Sequence, residues 1–239
     1  MYPAGGSRHV FRHLPWPKAG SVNVAVSRPA HPRAPHEERP RSKRGTSGAG
    51  RRPFGGTWRN ESRLKQAMSL SLVRYDEISE ENYIDFISEW ETLKEKVIPT
   101  AAYREGLSFL EMMSKWREDE TDLPVSRGFV PATMYFLTDE SGRILGAIHF
   151  RHYLNEQLHQ MGGHIGYGVR KSERKKGYAR KMLALLLEKI KKLGNDKVML
   201  TCSDDNIGSA KTIEGCNGIL KDKVEFENKL IRRYWITLE

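Results

Sequence analysis

The chain reads Gly166-Tyr-Gly-Val-Arg-Lys-Ser-Glu-Arg-Lys-Lys-Gly177-Tyr-Ala179 where an apolar run gives way to a basic loop and then to a long amphipathic pattern. The apolar run predicts a strand that ends at Val169, and the amphipathic pattern predicts a helix that begins at Gly177. The first turn of a helix has four backbone N–H groups without internal partners, and the macrodipole adds about half a positive charge there. The junction therefore predicts an anion-binding site suited to phosphate.

The residue types of the loop support this interpretation. Gly177 lets a phosphate approach the backbone without a Cβ in the way, and Arg174, Lys175 and Lys176 add positive charge. The loop lacks the order of a Walker A motif and the third glycine of a dinucleotide fingerprint, which excludes both classes of site. Charge pattern alone leaves one alternative open, a solvated basic loop before a surface helix.

The rest of the chain surrounds this junction with short elements. Ser79 and Ser108 are expected to cap two helices, with apolar stripes at Tyr83, Phe86, Ile87, Trp90 and Leu93 and at Phe109, Met112, Met113 and Trp116. A polar turn at 139–142 predicts a hairpin. Strands are predicted at residues 69–75, 130–138, 143–153, 163–169, 197–202, 218–225 and 231–238, and further helices at 177–193 and 206–214. This order predicts an α/β (α+β) domain, with a mixed, mostly antiparallel central sheet and helices on both faces.

Charge divides the chain of 239 residues into two parts. Residues 1–67 hold 14 Lys and Arg against 3 acidic residues, whereas residues 68–239 hold 26 against 27, so the net charge of +10 comes from the first part. That part also holds 8 of the 11 prolines. We expect residues 1–67 to form a disordered basic extension. A transit peptide and a nucleic-acid-binding arm remain alternatives.

Two classes of protein are excluded by composition. The longest apolar run, residues 182–187, is far shorter than the roughly 18 residues of a membrane helix. Cys202 and Cys216 are the only cysteines, which excludes a disulfide scaffold and favours reduced thiols in a cytoplasmic protein.

Several motifs together resemble one family. Arg174-Lys175-Lys176-Gly177-Tyr178-Ala179 fits the Q/R-x-x-G-x-G/A signature of the GNAT superfamily of N-acetyltransferases. Residues 164–170 are similar to that family's fourth strand, and residues 205–210 are similar to the start of its fourth helix. Residues 69–239 follow its order of elements, so the resemblance implies a GNAT-like acyl-CoA N-acyltransferase fold for residues 68–239.

The resemblance also implies a cofactor site. The pyrophosphate of acetyl-CoA would lie on the loop and its N–H groups, and the pantetheine arm would lie along a strand that splays from the next one. A strand N–H near Gly168 or Val169 would polarise the thioester carbonyl. Asn206 and Ser209 would contact the cofactor. The implied cofactor residues are Gly168, Val169, Arg174, Lys175, Lys176, Gly177, Tyr178, Ala179, Asn206 and Ser209.

The family's reaction is direct attack by an amine on the thioester, which requires a base and an acid for proton transfer. His164 stands where many relatives have Glu, so it is either the base or a strand histidine that only forms hydrogen bonds. Asp205, like Asp204, would orient the ammonium group, or one of the two caps the following helix. Ile213 replaces the tyrosine that usually protonates the thiolate. Tyr178, Ser209, water or the product ammonium would then supply that proton.

The sequence thus predicts an acetyl-CoA-dependent N-acetyltransferase acting on a small-molecule or peptide amine. No metal, membrane or nucleic-acid partner is expected, and a homodimer is retained as an option. One alternative function is a non-catalytic acyl-CoA-binding or regulatory module, because the usual tyrosine is missing. Another is nucleic-acid binding through residues 1–67.

Overall fold

The computed structural model describes residues 69–122, 125, 126 and 128–238. The extension predicted at residues 1–67, with its transit-peptide and nucleic-acid alternatives, lies outside the described residues. Of the described helices, none is long and apolar enough to cross a membrane.

Within the described residues, seven strands form two antiparallel sheets. The first sheet has the order β1-β2-β3-β4, with β1 at Ser71–Arg74, β2 at Ala132–Thr138, β3 at Ile144–Arg151 and β4 at Ile165–Val169. The second has the order β5-β7-β6, with β5 at Lys197–Ser203, β6 at Ile219–Phe226 and β7 at Lys229–Thr237. The predicted fold class is confirmed, and the strand bounds differ from the prediction by a few residues.

The part of the chain that the structure describes has five α-helices between these strands: α1 at Glu80–Thr92, α2 at Phe109–Asp119, α3 at Glu156–Gln160, α4 at Tyr178–Lys192 and α5 at Ile207–Glu214. The Ser79 hydroxyl accepts a hydrogen bond from the Asn82 N–H, and Ser108 forms the predicted capping box with Glu111. The short helix α3 was not predicted, because five residues carry no helical period. Leu93 is exposed rather than part of the buried stripe, because α1 ends just before it.

Helices cover both faces of the first sheet, as predicted. On one face α4 buries Met182, Leu183, Leu186 and Ile190 against the strands. On the other face α1 and α2 bury an aromatic cluster that includes Phe86 and Trp116. The side chains of β4, which are Ile165, Tyr167 and Val169, all pack in the cluster on the α4 side, and the residues between them are glycines.

The two sheets meet at one point and then separate. Gly163 forms an isolated bridge with Leu200, and the His164 N–H donates to the Met199 carbonyl at 2.7 Å. Beyond this point β4 pairs only with β3, and β5 pairs only with β7. The strands therefore diverge and leave one edge of β4 without a strand partner.

A loop from the α1–α2 connection packs against the glycines of β4. A Cβ at Gly168 would overlap the carbonyl oxygen of Ile98, whereas a Cβ at Gly166 would lie at an ordinary 3.7 Å from Pro99 Cβ. Gly168 therefore permits a close backbone approach that a larger residue would prevent.

Arg170 ties the end of β4 to helix α1. Its side chain is only 5% exposed and donates to the carboxylates of Asp85 and Glu89 and to the Ile144 carbonyl. Hydrogen bonding to Arg170 lowers the pKa of Asp85. This cluster fixes where the basic loop begins.

Gly168 and Gly166 differ in the space that a Cβ would have, and this difference gives a stability test. Gly168→Ala should lower the free energy of unfolding by about 1–3 kcal/mol, the usual cost of overpacking, because Ile98 must move. Gly166→Ala should change it by less than about 0.5 kcal/mol, because its methyl group has room. Urea unfolding of the wild type and both variants measures this difference. Equal effects would show that the loop does not press on Gly168.

Candidate active site

The backbone of the basic loop forms a row of unused N–H donors. Lys175 and Gly177 both have left-handed conformations, with φ of 64° and 85°. Within the described residues, the N–H groups of 175–180 donate to no backbone or side-chain acceptor. Alternating backbone conformations of this kind make an anion-binding concavity, and the N-terminus of α4 adds its dipole.

Most of the loop's side-chain charge is already neutralised. Arg174 donates to the Val169 carbonyl at 2.9 Å and to Glu95 at 2.6 Å, and its guanidinium lies 5.0 Å from the centre of the Trp90 ring. Lys176 pairs with Glu173 at 2.8 Å. Of the three predicted basic residues, only Lys175 has no ion pair among the described side chains. The anion site thus depends on backbone donors more than the sequence suggested.

Gly177 leaves open space at the start of α4. It is the N-cap of α4, and a Cβ built on it would meet nothing within 4 Å. The predicted start of the helix at 177 is therefore one residue early, since Gly177 is left-handed. Tyr178 and Ala179 supply the first helical N–H groups beside it.

Val169 presents its peptide groups at the open edge of β4. The N–H of its neighbour Arg170 donates to Leu145 on β3, and the Val169 carbonyl accepts instead from Arg174. Neighbouring residues of a strand direct their N–H and C=O groups to opposite edges. Val169, rather than Gly168, thus directs its N–H away from β3.

Tyr167 spans the opening from β4 to α5. Its hydroxyl lies 2.8 Å from the Ser209 hydroxyl, and burial raises the tyrosine pKa to about 12. The Ser209 N–H donates to Asn206 Oδ1 at 3.0 Å, so the Asn206 side chain caps α5. The predicted contact residues Asn206 and Ser209 are brought together here, with one Asn206 oxygen already used.

His164 is held at the point where the strands part. Its Nδ1 accepts from the Met199 N–H at 2.9 Å, which leaves Nε2 to carry the ring proton. Burial lowers the pKa of this imidazole to about 4, against an ordinary value of 6.5. The lone pair that a base needs is occupied, so the geometry favours the hydrogen-bonding alternative.

The two aspartates after β5 have different surroundings. Asp204 pairs with Arg232 and Lys223, each at 2.7 Å, and these hydrogen bonds lower its pKa. Asp205 is exposed, and its carboxylate has no hydrogen-bond or ion-pair partner among the described residues. The expectation that one of them caps α5 is wrong, because Asn206 does so.

Three residues in this region are packing residues. Ile213 is fully buried in the core of the first sheet, and Cys202 and Cys216 are buried free thiols whose pKa values are raised by burial. No group of His, Cys, Asp or Glu within the described part of the chain has the arrangement of a metal site.

Comparison with protein-family models identifies the chain. Residues 86–217, more than half of its length, match the model of the acetyltransferase (GNAT) family. The chain belongs to the GNAT family of acetyltransferases. No curated protein matches it.

Several solved structures align with the chain, and the first of the following supports the GNAT fold independently of sequence. The ribosomal-protein-S5-alanine acetyltransferase from Vibrio fischeri aligns with a TM-score of 0.50 and 16% identity, over 71% of this chain and 92% of that chain. The spermidine/spermine N-acetyltransferase SpeG from Vibrio cholerae aligns with a TM-score of 0.48 and 12% identity, over 71% and 94%. The ribosomal L7/L12 acetyltransferase RimL, in complex with coenzyme A, aligns with a TM-score of 0.49 and 16% identity, over 71% of this chain and 94% of that chain.

The protonation state of His164 can be tested through stability. Because its pKa is about 4 in the folded protein and 6.5 ordinarily, the unfolded chain binds the proton first as the pH falls. The free energy of unfolding should therefore drop between pH 6.5 and 4. His164→Gln should remove this part of the loss, because the Gln carbonyl can accept from Met199 without titrating. Urea unfolding across this range measures both proteins, and identical pH profiles would contradict the assignment.

Proposed function

We propose that the protein is an acetyl-CoA-dependent N-acetyltransferase whose domain spans residues 68–239. The row of free N–H groups at the start of α4, next to the open edge of β4, carries this proposal. Membership of the GNAT family supports it. A cytoplasmic location is also proposed, from the two buried free thiols.

The residues present fit the cofactor. The N–H groups of Lys175, Lys176, Gly177, Tyr178 and Ala179 would bind the pyrophosphate, with Lys175 as the unpaired charge. Arg174 would act by fixing the loop through its bonds to Val169 and Glu95, rather than as a direct ligand. Gly168 would act similarly, by admitting the α1–α2 loop. When bound, acetyl-CoA supplies an activated acyl group.

The chain's own residues would assist transfer at the open edge. The Val169 N–H is placed to stabilise negative charge on a carbonyl oxygen that approaches this edge, an effect typically worth about 3–4 kcal/mol. Asp205 is the unpaired carboxylate after β5, and we propose that it orients or deprotonates the acceptor ammonium. His164 would hold the diverging strands together through Met199.

Ile213 stands where many relatives have the tyrosine that protonates the departing thiolate. Because isoleucine cannot donate a proton, another residue must supply it. Tyr167 and Ser209 form the hydroxyl pair that bridges β4 and α5. A phenol with a raised pKa remains protonated at neutral pH and so can donate. We propose that Tyr167, with Ser209 as its partner, takes this role. The alternative of a non-catalytic acyl-CoA-binding module rests on Ile213 alone, and the experiments below would reveal it by binding without turnover.

Gly177→Glu tests the anion site. Coenzyme A should raise the Tm of the wild type, because a ligand that binds the folded state stabilises it. The variant should lose this shift, because a carboxylate side chain would occupy the place of the phosphate. Differential scanning fluorimetry with and without coenzyme A measures the effect.

Gly194→Glu is the matched control. Gly194 lies just beyond the other end of α4, has a similar φ of 84°, and has equally open space at its Cβ. This variant bears the same backbone strain and charge but should retain the coenzyme A shift. Retention of the shift in Gly177→Glu would refute the site.

Tyr167→Phe tests the proton donor. It should lower kcat by about 10²-fold or more, the usual size of a general-acid contribution, while the coenzyme A affinity remains unchanged. Tyr178→Phe, which removes the hydroxyl of the other tyrosine that the sequence offered as a donor, should leave kcat within a few-fold. Steady-state kinetics and calorimetric titration of coenzyme A measure both variants. Equal rates for wild type and Tyr167→Phe would assign the proton to solvent.

A further inference from the structure

Arg151 is a largely buried arginine at the end of β3, next to β4. Its Nη1 donates to the carbonyls of Gly162 and Gly163, at 3.2 and 3.0 Å. Its Nε and Nη2 donate to no described group, although a guanidinium carries five N–H donors. More than half of its hydrogen-bonding capacity is thus unused.

No carboxylate among the described residues neutralises this charge. The other arginines with mostly buried side chains are paired: Arg170 with Asp85 and Glu89, Arg232 with Asp204, and Arg233 with Asp222. Burial instead lowers the pKa of Arg151 to about 10, with no opposing charge. A largely buried charge without a counter-ion costs free energy, and because Nε and Nη2 are not sealed from solvent they can take an anion that is supplied from outside the chain.

The surroundings place this charge on the face of β4 that lies away from α4. A Cβ at Gly166 would lie 3.9 Å from Arg151 Nη2 and 3.7 Å from Pro99 Cβ. Neighbouring His149, two residues earlier on the same face of β3, has a sealed Nε2 without a hydrogen-bond partner. The Arg151 guanidinium therefore lies beside Gly166 of β4 and near the loop that contains Pro99.

The charge beside Gly166 is that of the Arg151 guanidinium, and Lys115, the other cation that acts on His149, is paired with Asp119 at 3.8 Å. Burial lowers the pKa of both His149 and His164, so the two imidazoles are neutral at neutral pH. The planar guanidinium holds its N–H donors in a fixed geometry that matches the two oxygens of a carboxylate. A phosphate, with its second negative charge, would need a further cation.

We propose that Arg151 binds a carboxylate of the acceptor, so that the substrate is an amine that also bears a carboxylate, such as an amino acid. The proposal rests on the proposed function, because it gives the acceptor of that reaction. The Nη1 bonds to Gly162 and Gly163 hold the guanidinium in place, and Nε and Nη2 take the ligand. Arg151 is thus a specificity-determining residue of the acceptor site.

Matched pairs of amines test this assignment on the full chain. L-phenylalanine and phenethylamine differ only by the carboxylate, as do L-lysine and cadaverine. The wild type should prefer the carboxylated member by about 10- to 100-fold in kcat/KM, as expected for a charge-assisted hydrogen-bonded contact. In Arg151→Gln this preference should fall close to one, with the rate on the decarboxylated amine little changed.

Controls separate binding from a purely structural role. Arg143→Gln removes a more exposed arginine that pairs with Glu173, and it should keep the preference. A residue that only fixed the Gly162–Gly163 turn would, when replaced, lower the rates on both members of a pair equally. Guanidinium added to an Arg151→Ala variant should restore the preference if the contact is direct.

The outcomes distinguish this proposal from the one on which it rests. Turnover of amines without preference for the carboxylated members overturns the carboxylate site while the acetyltransferase function stands. Binding of coenzyme A with no turnover of any amine overturns the proposed function, and the acceptor assignment falls with it. The wild-type preference is measured without any substitution, so its absence overturns the proposal even if the Arg151 variants do not fold.

Discussion

The separation of β4 from β5 is the constraint on which the rest of the structure depends. Strands that part leave backbone groups unpaired, and such groups cost free energy unless water or a ligand meets them. Gly163 permits the last close contact, since a Cβ there would lie 2.5 Å from the Met199 carbonyl. His164 then binds Met199 through both its backbone and its ring. The open edge begins directly after this clamp.

Acidic residues in and after α1 determine what kind of anion site follows. Glu89 accepts from the backbone and hydroxyl of Ser172, and Glu95 pairs with Lys171 and Arg174. These bonds use the charges of the loop to fix its conformation. In the proposed site the attraction for an anion would therefore come mainly from aligned N–H groups, which need no counter-ion in the free protein.

Local patterns in the sequence predicted the hairpin and every described α-helix except the short α3, because caps, turns and periodicity act over a few residues. Ser79 and the Ser108–Glu111 box have the expected capping roles, whereas Gly177 precedes the helix that it was expected to begin. The contacts that complete the site were not predictable in this way. Arg170 meets Glu89, a partner 81 residues away, and the His164 ring meets Met199 across the two sheets. Such pairs follow from topology, which composition and spacing do not encode.

The register of β4 matters as much as any of its side chains. Its odd-numbered residues, Tyr167 and Val169, lie towards α4 and α5, and its glycines lie towards the α1–α2 loop. A shift of one residue would exchange these faces and place Tyr167 against Ile98. The strand is pinned at one end by the Gly163 bridge and at the other by buried Arg170. The glycines weaken the strand between these two anchors, so the anchors must supply the order that a site with two different faces requires.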